Sequence, residues 1–349
     1  MRRLPIYFLI DVSESMVGEP IEQVQEGMGS IIKDLRTDPY ALETVYISII
    51  AFAGKAQKLT PLIELYNFYP PKLPIGGGTS LGNALNFLIS ELDNSLVKTT
   101  MDQKGDWKPI IFLFTDGNPT DKYESTFDRW NKHYRSKSNL VVISLGENTD
   151  MTIFMKITEN VLLLKNTDPE SFKKFFRWVT ASIKTTSMSV SSANNDGLQL
   201  APITNGYLSK IDLEKGISKK VDENFAVFLA KCQKTKRAYL MKYQKRLSPS
   251  EFKELAQNSL DYKLVGAFPL ENSYFDLCDN EQASNTVNSS GLVGFPNCPC
   301  CGNQYGFSYC ACGNIMCTGE EEASRCPWCG VEARFGFGNQ SFNINRTRG

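Results

Sequence analysis

Histidine is nearly absent from this sequence: His133 is the single one among 349 residues. Catalysis by a nucleophile–histidine pair therefore has almost no material. The surrounding "NKHYRSK" reads as a polar, solvated helix face. Net charge is absent as well, with 38 basic residues balancing 38 acidic ones. That removes any global electrostatic pull toward nucleic acid or an anionic membrane. Long apolar runs are missing too. Val45 to Ala53 is among the longest, far below the roughly 20 residues a membrane helix needs. The first ten residues imitate a secretory signal, two arginines and then a greasy run, but Asp11 ends the run early and no small-residue cleavage site follows. They read as a first buried strand. No cysteine occurs before Cys232, and seven of the last eight lie in CxxC or CxC arrangements. Without a secretory signal, such clustering argues for zinc in a reducing compartment and against disulfides. The expected location is cytoplasmic.

What is present begins with alternation. Apolar, β-rich runs at Pro5–Ile10, Val45–Phe52, Ile110–Phe114, Leu140–Ser144 and Val161–Leu164 predict the strands of a parallel sheet covered on both faces. Gln57–Leu62 predicts an antiparallel return at its edge. Helical stripes lie between: Ile21, Val24, Met28, Ile31, Ile32 and Leu35; then Leu81, Ala84, Leu85, Leu88, Ile89 and Leu92. A third, through Phe172, Phe175, Phe176, Val179 and Ile183, is opened by Asp168 as N-cap with Pro169 at the first helical position. The fold class is α/β, a doubly wound, mostly parallel sheet, followed by a small α+β, zinc-ribbon-like domain. The expected boundaries are 1–187 for the first domain, 188–222 for a polar linker or irregular connection and 223–335 for the second domain. The second contains the cysteine module at 298–330, and 336–349 is expected as a flexible tail. Within the second domain, strands are predicted at Phe225–Ala230, Ala238–Tyr243 and Tyr262–Phe268. Ser248, Pro249 and Glu251 predict the capped start of a short helix.

The chemistry concentrates where strands end. Asp11-Val-Ser13-Glu-Ser15 directly follows the first strand, placing one carboxylate and two hydroxyls on a single turn. Gly76-Gly-Gly-Thr79-Ser precedes the second amphipathic helix, and Thr115-Asp116-Gly follows Ile110–Phe114. In a doubly wound sheet these loops meet outside the carboxyl ends of the strands, at the topological switch point. Each motif alone is commonplace. Three in order, each at a strand or helix end, point to a hard divalent cation, Mg²⁺ or another, held by oxygens. The glycine run lacks the GK[ST] ending of a phosphate-cradling loop.

Asp11, Ser13, Ser15, Thr79 and Asp116 resemble the metal-ion-dependent adhesion site of von Willebrand factor A (VWA) domains, with all five positions present. The resemblance implies direct coordination by the serines and, with ligand bound, Thr79, while the aspartates act directly or through water. It also implies a sixth position left for an acidic side chain of a partner. An incompletely neutralised cation is a Lewis-acidic socket for a carboxylate. The segments "GEPIEQV", "RTDPYALETVYISIIAF", "GGGTSLGNAL" and "FLFTDGNPTD", joined to the cysteine module, are similar to TerY-type proteins of the tellurium-resistance group over most of the chain. That likeness implies tellurite and stress resistance and neighbouring kinase and phosphatase partners.

The cysteine module reads Cys298-Pro-Cys300-Cys301-Gly, Cys310-Ala-Cys312-Gly, Cys317 and Cys326-Pro-Trp-Cys329-Gly. CPxCG places two thiolates in a tight knuckle, and two knuckles supply the tetrahedral sulfur shell zinc prefers. Cys298, Cys301, Cys326 and Cys329 form the obvious set, with 307–317 as a hairpin between them. Cys310, Cys312 and Cys317 would form most of a second site, with Cys300 as a candidate fourth ligand. An interleaved pairing fits the spacing equally well, so one or two Zn²⁺ are expected. Cys232 and Cys278 stand apart and read as plain core or surface thiols.

No catalytic constellation assembles, because Ser13 and Ser15 have no base nearby. The expected function is a non-enzymatic, metal-dependent interaction module that captures an Asp or Glu of a partner protein, with no membrane role. The rival is nucleic-acid binding through the zinc module, the stretch 231–246 with Tyr239 and Tyr243 among its basic residues, and the tail arginines Arg346 and Arg348.

Overall fold

The computed structural model describes residues 2–146, 149–165, 168–193, 198–203, 208–210, 225–245, 262–278, 286–319, 323–334 and 341–347. The helix start expected at Ser248–Glu251 and the tail residue Arg348 lie outside them.

Seven strands form the first sheet: β1 (Leu4–Asp11), β2 (Val45–Phe52), β3 (Ala56–Glu64), β4 (Ile110–Thr115), β5 (Asn139–Leu145), β6 (Asn160–Leu164) and β7 (Leu208–Lys210). Their order is β3-β2-β1-β4-β5-β6-β7. The five from β2 to β6 in that order run parallel. The edge strands β3 and β7 return antiparallel. The strand period of two divides β1 between two cores. Ile6, Phe8 and Ile10 face α1 (Glu19–Leu35), α2 (Pro39–Thr44) and α6 (Pro169–Ala193). Tyr7 and Leu9 face α3 (Leu81–Ser95), α4 (Glu124–His133) and α5 (Met151–Met155). Every residue of the helical stripes of α3 and α6 read from the sequence is buried, and only Ile21 of the α1 stripe stays half-exposed. Asp168 caps α6 as expected, its carboxylate accepting from the Ser171 amide at 3.0 Å and the Ser171 hydroxyl at 2.7 Å.

The start of the expected connection at 188 is still helix, since α6 runs to Ala193. Hydroxyls of Thr180, Ser182, Thr185 and Thr186 donate to carbonyls one turn back. Thr186 and Ser182 also accept from the amides of Gln199 and Ala201 in the returning chain. β7 then joins the first sheet, so part of the expected connection 188–222 belongs to the first domain's structure. Hydroxyl groups in the last turns of this helix satisfy its own backbone carbonyls.

The second sheet has the order β12-β10-β9-β8-β14-β13. Its meander is β8 (Phe225–Lys231), β9 (Ala238–Lys245) and β10 (Tyr262–Pro269), joined at its edges by β12 (Leu292–Val293), β13 (Phe307–Tyr309) and β14 (Ile315–Cys317). A single-turn helix, α7 (Tyr274–Leu277), follows β10. Two small pairs complete the domain: β11 (Thr286–Asn288) with β17 (Asn343–Asn345), and β15 (Ala323–Arg325) with β16 (Glu332–Arg334). Of the tail expected to be flexible over 336–349, the described residues 341–347 include a paired strand, β17. Ile344 is fully buried, and the Thr347 amide donates to the Val227 carbonyl at 2.8 Å. Ile344 enters the second core, and the neighbouring Phe342 ring stacks on Tyr309 with 5.4 Å between centroids.

Candidate metal centres

The three oxygen-bearing loops meet at the carboxyl edge of the first sheet. Asp11 ends β1, and its carboxylate accepts from the Ser13 amide at 3.0 Å and the Thr115 hydroxyl at 2.6 Å. Ser13 and Ser15 hydroxyls lie 3.0 Å apart, and Ser15 donates to Asp116 at 2.7 Å. Thr79 is gripped by Thr120. Its amide donates to the Thr120 hydroxyl at 3.0 Å, and its carbonyl accepts from the Thr120 amide at 2.8 Å. Asp121 next door accepts from the Gly82 and Asn83 amides, the N-terminal donors of α3 that Ser80 leaves uncapped. A carboxylate borrowed from the third loop thus caps the helix behind the second loop. Glu14, inside the DxSxS turn, is buried and accepts from the Gly78 amide at 2.9 Å.

All five predicted cation residues are buried and brought together. Burial raises the Asp11 carboxyl to about 6, against lowering by hydrogen bonds from Thr115 and Ser13. An oxygen-only donor set around a carboxylate penalised for its charge fits a hard divalent cation.

Two thiol clusters lie in the second domain, each with sulfurs mutually within 4.8 Å: Cys232, Cys298, Cys301 and Cys317; and Cys310, Cys312, Cys326 and Cys329. The knuckles are interleaved, and the obvious set of Cys298, Cys301, Cys326 and Cys329 is not brought together. Cys300 lies outside both clusters, and Cys317 belongs with the first knuckle. Cys278 is in neither; its thiol donates to the Tyr274 carbonyl. Each cluster is a closed four-sulfur set, the donor chemistry zinc takes at structural sites.

Cys232 is a member of the first cluster and not the plain thiol its sequence surroundings suggest. In the Cys298 knuckle, the cysteine amide donates to Asn303 O and the Gly302 amide returns to Cys298 O. The Cys326 knuckle repeats this with Val331 and Gly330. At Cys232 the same two bonds run to Arg237 O and from the Lys236 amide. Lys236, at φ 58, takes the left-handed place that glycine holds at φ 74 in Gly302 and φ 76 in Gly330. Thr235 stands where the second cysteine would be, and its amide donates to Cys232 Sγ at 3.3 Å. "CQKTKR" is a knuckle by backbone with half its sequence signature gone, and Cys317 supplies the missing sulfur. The thiols differ accordingly. Burial pushes Cys298 up to about 12, while at Cys232 burial is outweighed by the Thr235 hydrogen bonds, which bring it down to about 7.

The basic stretch 231–246 weighed for nucleic acid comprises Lys231 at the end of β8, the turn after it and β9, with 246 outside the described residues. Tyr239 and Tyr243 are buried in the second core and Lys242 is buried on the opposite strand face, so neither tyrosine offers its ring to a base. His133 is exposed at the end of α4.

The von Willebrand factor type A domain family matches residues 6–178, and the TerY-C metal binding domain family matches residues 222–349. The chain has the TerY-type architecture, a VWA domain followed by a TerY-C metal binding domain. Its VWA domain is 32% identical over 124 residues to mouse inter alpha-trypsin inhibitor heavy chain 4, spanning 33% of this chain and 12% of that one. It is 25% identical over 126 residues to the bovine heavy chain H1, spanning 36% and 13%. The chain thus covers about an eighth of the length of these relatives. Solved structures similar to the VWA half include the VWA2 paralog of ArnB from Sulfolobus acidocaldarius, at 17% identity and TM-score 0.37 over 52% of this chain and 45% of that one. Mussel byssus proximal thread matrix protein 1, with a zinc-occupied MIDAS motif, matches at 17% and 0.37 over 53% and 46%. The TerY-C domain accounts for both thiol clusters. Among the described residues, no helix is long and apolar enough to cross a membrane.

Proposed function

We propose that this protein is a non-enzymatic, cytoplasmic interaction module in which Mg²⁺, held by Asp11, Ser13, Ser15, Thr79 and Asp116, accepts an Asp or Glu side chain from a partner protein. Two Zn²⁺, one in each four-cysteine cluster, hold the TerY-C domain in shape. The single observation that carries the reading is the convergence of five buried oxygen-bearing residues from three loops, with the one histidine exposed at the end of α4, away from those loops. Such a site has Lewis acidity to bind a carboxylate, and its two aspartates are taken up by the oxygen set itself. The TerY resemblance supports a place in tellurite or stress resistance, with a kinase or phosphatase as the partner class.

Partner capture on immobilised full-length protein tests this, with and without Mg²⁺ in the buffer and with Asp11→Ala beside the wild type. Capture should require Mg²⁺ and vanish in the variant while zinc content stays unchanged. Capture that persists in both arms overturns the carboxylate-socket reading. Capture that ignores Asp11 but collapses as salt is raised indicates nucleic acid instead.

A further inference from the structure

The TerY-C domain does not hang beside the cation loop; it grips it. Lys242 in β9 is 3% exposed, and its ammonium donates to the carbonyls of Ser15 at 2.6 Å and Val17 at 3.2 Å. Its charge also lies over the Phe225 ring at 4.6 Å. Tyr274 in α7, equally buried, donates its hydroxyl to Glu14 Oε1 at 2.7 Å. The other oxygen of the same carboxylate accepts from the Gly78 amide, one residue before Thr79. Glu14 therefore joins the DxSxS turn, the glycine loop and the second domain in one chain of bonds. The glycine loop is pressed from the same side. A methyl group at Gly76 would come within 2.5 Å of Leu277 Cβ, and one at Gly77 within 2.8 Å of Cys278 Sγ and 3.2 Å of the Tyr274 hydroxyl. The Lys55 amide, at the β2–β3 turn, donates to the Leu277 carbonyl at 3.0 Å.

These contacts engage two of the three loops that supply the cation's oxygens. A buried lysine and a buried tyrosine are costly to leave unpaired, so separating the domains costs both groups their partners. While they stay paired, the turn carrying Ser13 and Ser15 is held from the TerY-C side.

We propose that Tyr274 and Lys242 are positioning residues for the cation site, so that cation occupancy of the VWA domain and docking of the TerY-C domain are one coupled equilibrium. The proposal rests on the cation reading above. Coupling is reciprocal: what the docked domain does for cation affinity, the cation does for docking. The zinc-bound domain thereby sets how readily the VWA site loads.

Full-length protein titrated with MgCl₂ alone tests it, by calorimetry and by amide hydrogen exchange. Bound Mg²⁺ should slow exchange in 238–245 and 274–277 as well as in 11–17, and Asp11→Ala should abolish all three effects. Tyr274→Phe, which keeps the ring and removes the donor, should bind Mg²⁺ at least fivefold more weakly with zinc content unchanged. Mg²⁺ binding that slows exchange only in 11–17, or a Tyr274→Phe affinity within twofold of wild type, overturns the coupling and leaves the cation site standing. Should Tyr274→Phe not fold, the exchange arm on wild type decides alone. A wild type that takes up no Mg²⁺ overturns the cation reading itself and the coupling with it.

Discussion

Ser15 and Asp116, 101 residues apart in the chain, are joined by a 2.7 Å hydrogen bond between hydroxyl and carboxylate. One lies after β1 and the other after β4, adjacent parallel strands, so the bond closes the site across the switch point of the sheet. In the proposed cation set, removing either end takes away one oxygen and the bond that ties the two loops. Ser15→Ala and Asp116→Ala should each weaken Mg²⁺ binding by about tenfold or more, roughly 1.4 kcal/mol or above. Calorimetric titration checks this, and an affinity unchanged in both would remove these residues from the site.

Asp11 makes the site pH-dependent. Its folded-state pKa stands at about 6 against an ordinary 3.8, because burial penalises the charge. A raised carboxyl pKa means the fold holds its proton more tightly than the unfolded chain does. Metal-free stability should therefore fall as pH rises from about 4 through about 6, by on the order of 3 kcal/mol in full. Asp11→Asn carries no charge and should be the more stable protein near pH 7, with the advantage shrinking toward pH 5. Unfolding of both proteins across that range without Mg²⁺ measures the difference. Protons and Mg²⁺ compete for this carboxylate, so cation affinity should fall as the pH drops below about 6.

Elemental analysis separates the cysteines. Wild type should carry two zinc ions, and Cys232→Ser should lose or weaken the one shared with Cys298, Cys301 and Cys317. Cys300→Ser should keep both. The reverse result would exchange Cys232 and Cys300 in the first site.

Lys236 holds a left-handed backbone at φ 58 that its side chain does not favour. Lys236→Gly should stabilise the second domain by up to about 1 kcal/mol, since the strain of a non-glycine residue there is about that size. Thermal unfolding of the zinc-loaded protein checks the sign, and a destabilised variant counts against the knuckle geometry.

Gly27 on α1 sits against the Phe176 ring. A methyl group there would fall 2.0 Å from ring carbons, far inside contact distance. Gly27→Ala should destabilise the VWA domain by about 1–3 kcal/mol through overpacking, despite alanine's better helix propensity. Denaturant unfolding measures it, and a gain in stability would mean the α1–α6 seam has slack.

The first domain was legible because its information is local. Strand runs such as Val45–Phe52 and stripes such as Leu81–Leu92 carry their own periodicity, and the cation residues sit at the ends of those elements. What escaped depends on partners distant in sequence. Glu14 looks like filler between two serines until Gly78 and Tyr274 reach it. Thr120 and Asp121 look like a turn until Thr79 and the start of α3 arrive. Cys232 lacked the second cysteine and the glycine that mark a knuckle, and only its backbone bonds show it. The end of α6 escaped for the opposite reason: the polar composition beyond 187 suggested a linker, yet the helix continues to Ala193.

The interleaved cysteines make the β13–β14 hairpin a strut. Cys310 and Cys312 at its turn belong to one cluster, and Cys317 at its far end belongs to the other. With both ions in place the hairpin is pinned at its two ends, and β14 is pinned to β8 along its length. A chelator that takes a single ion would leave a lever hinged on the other. The first ion lost would therefore decide which end of the second sheet opens.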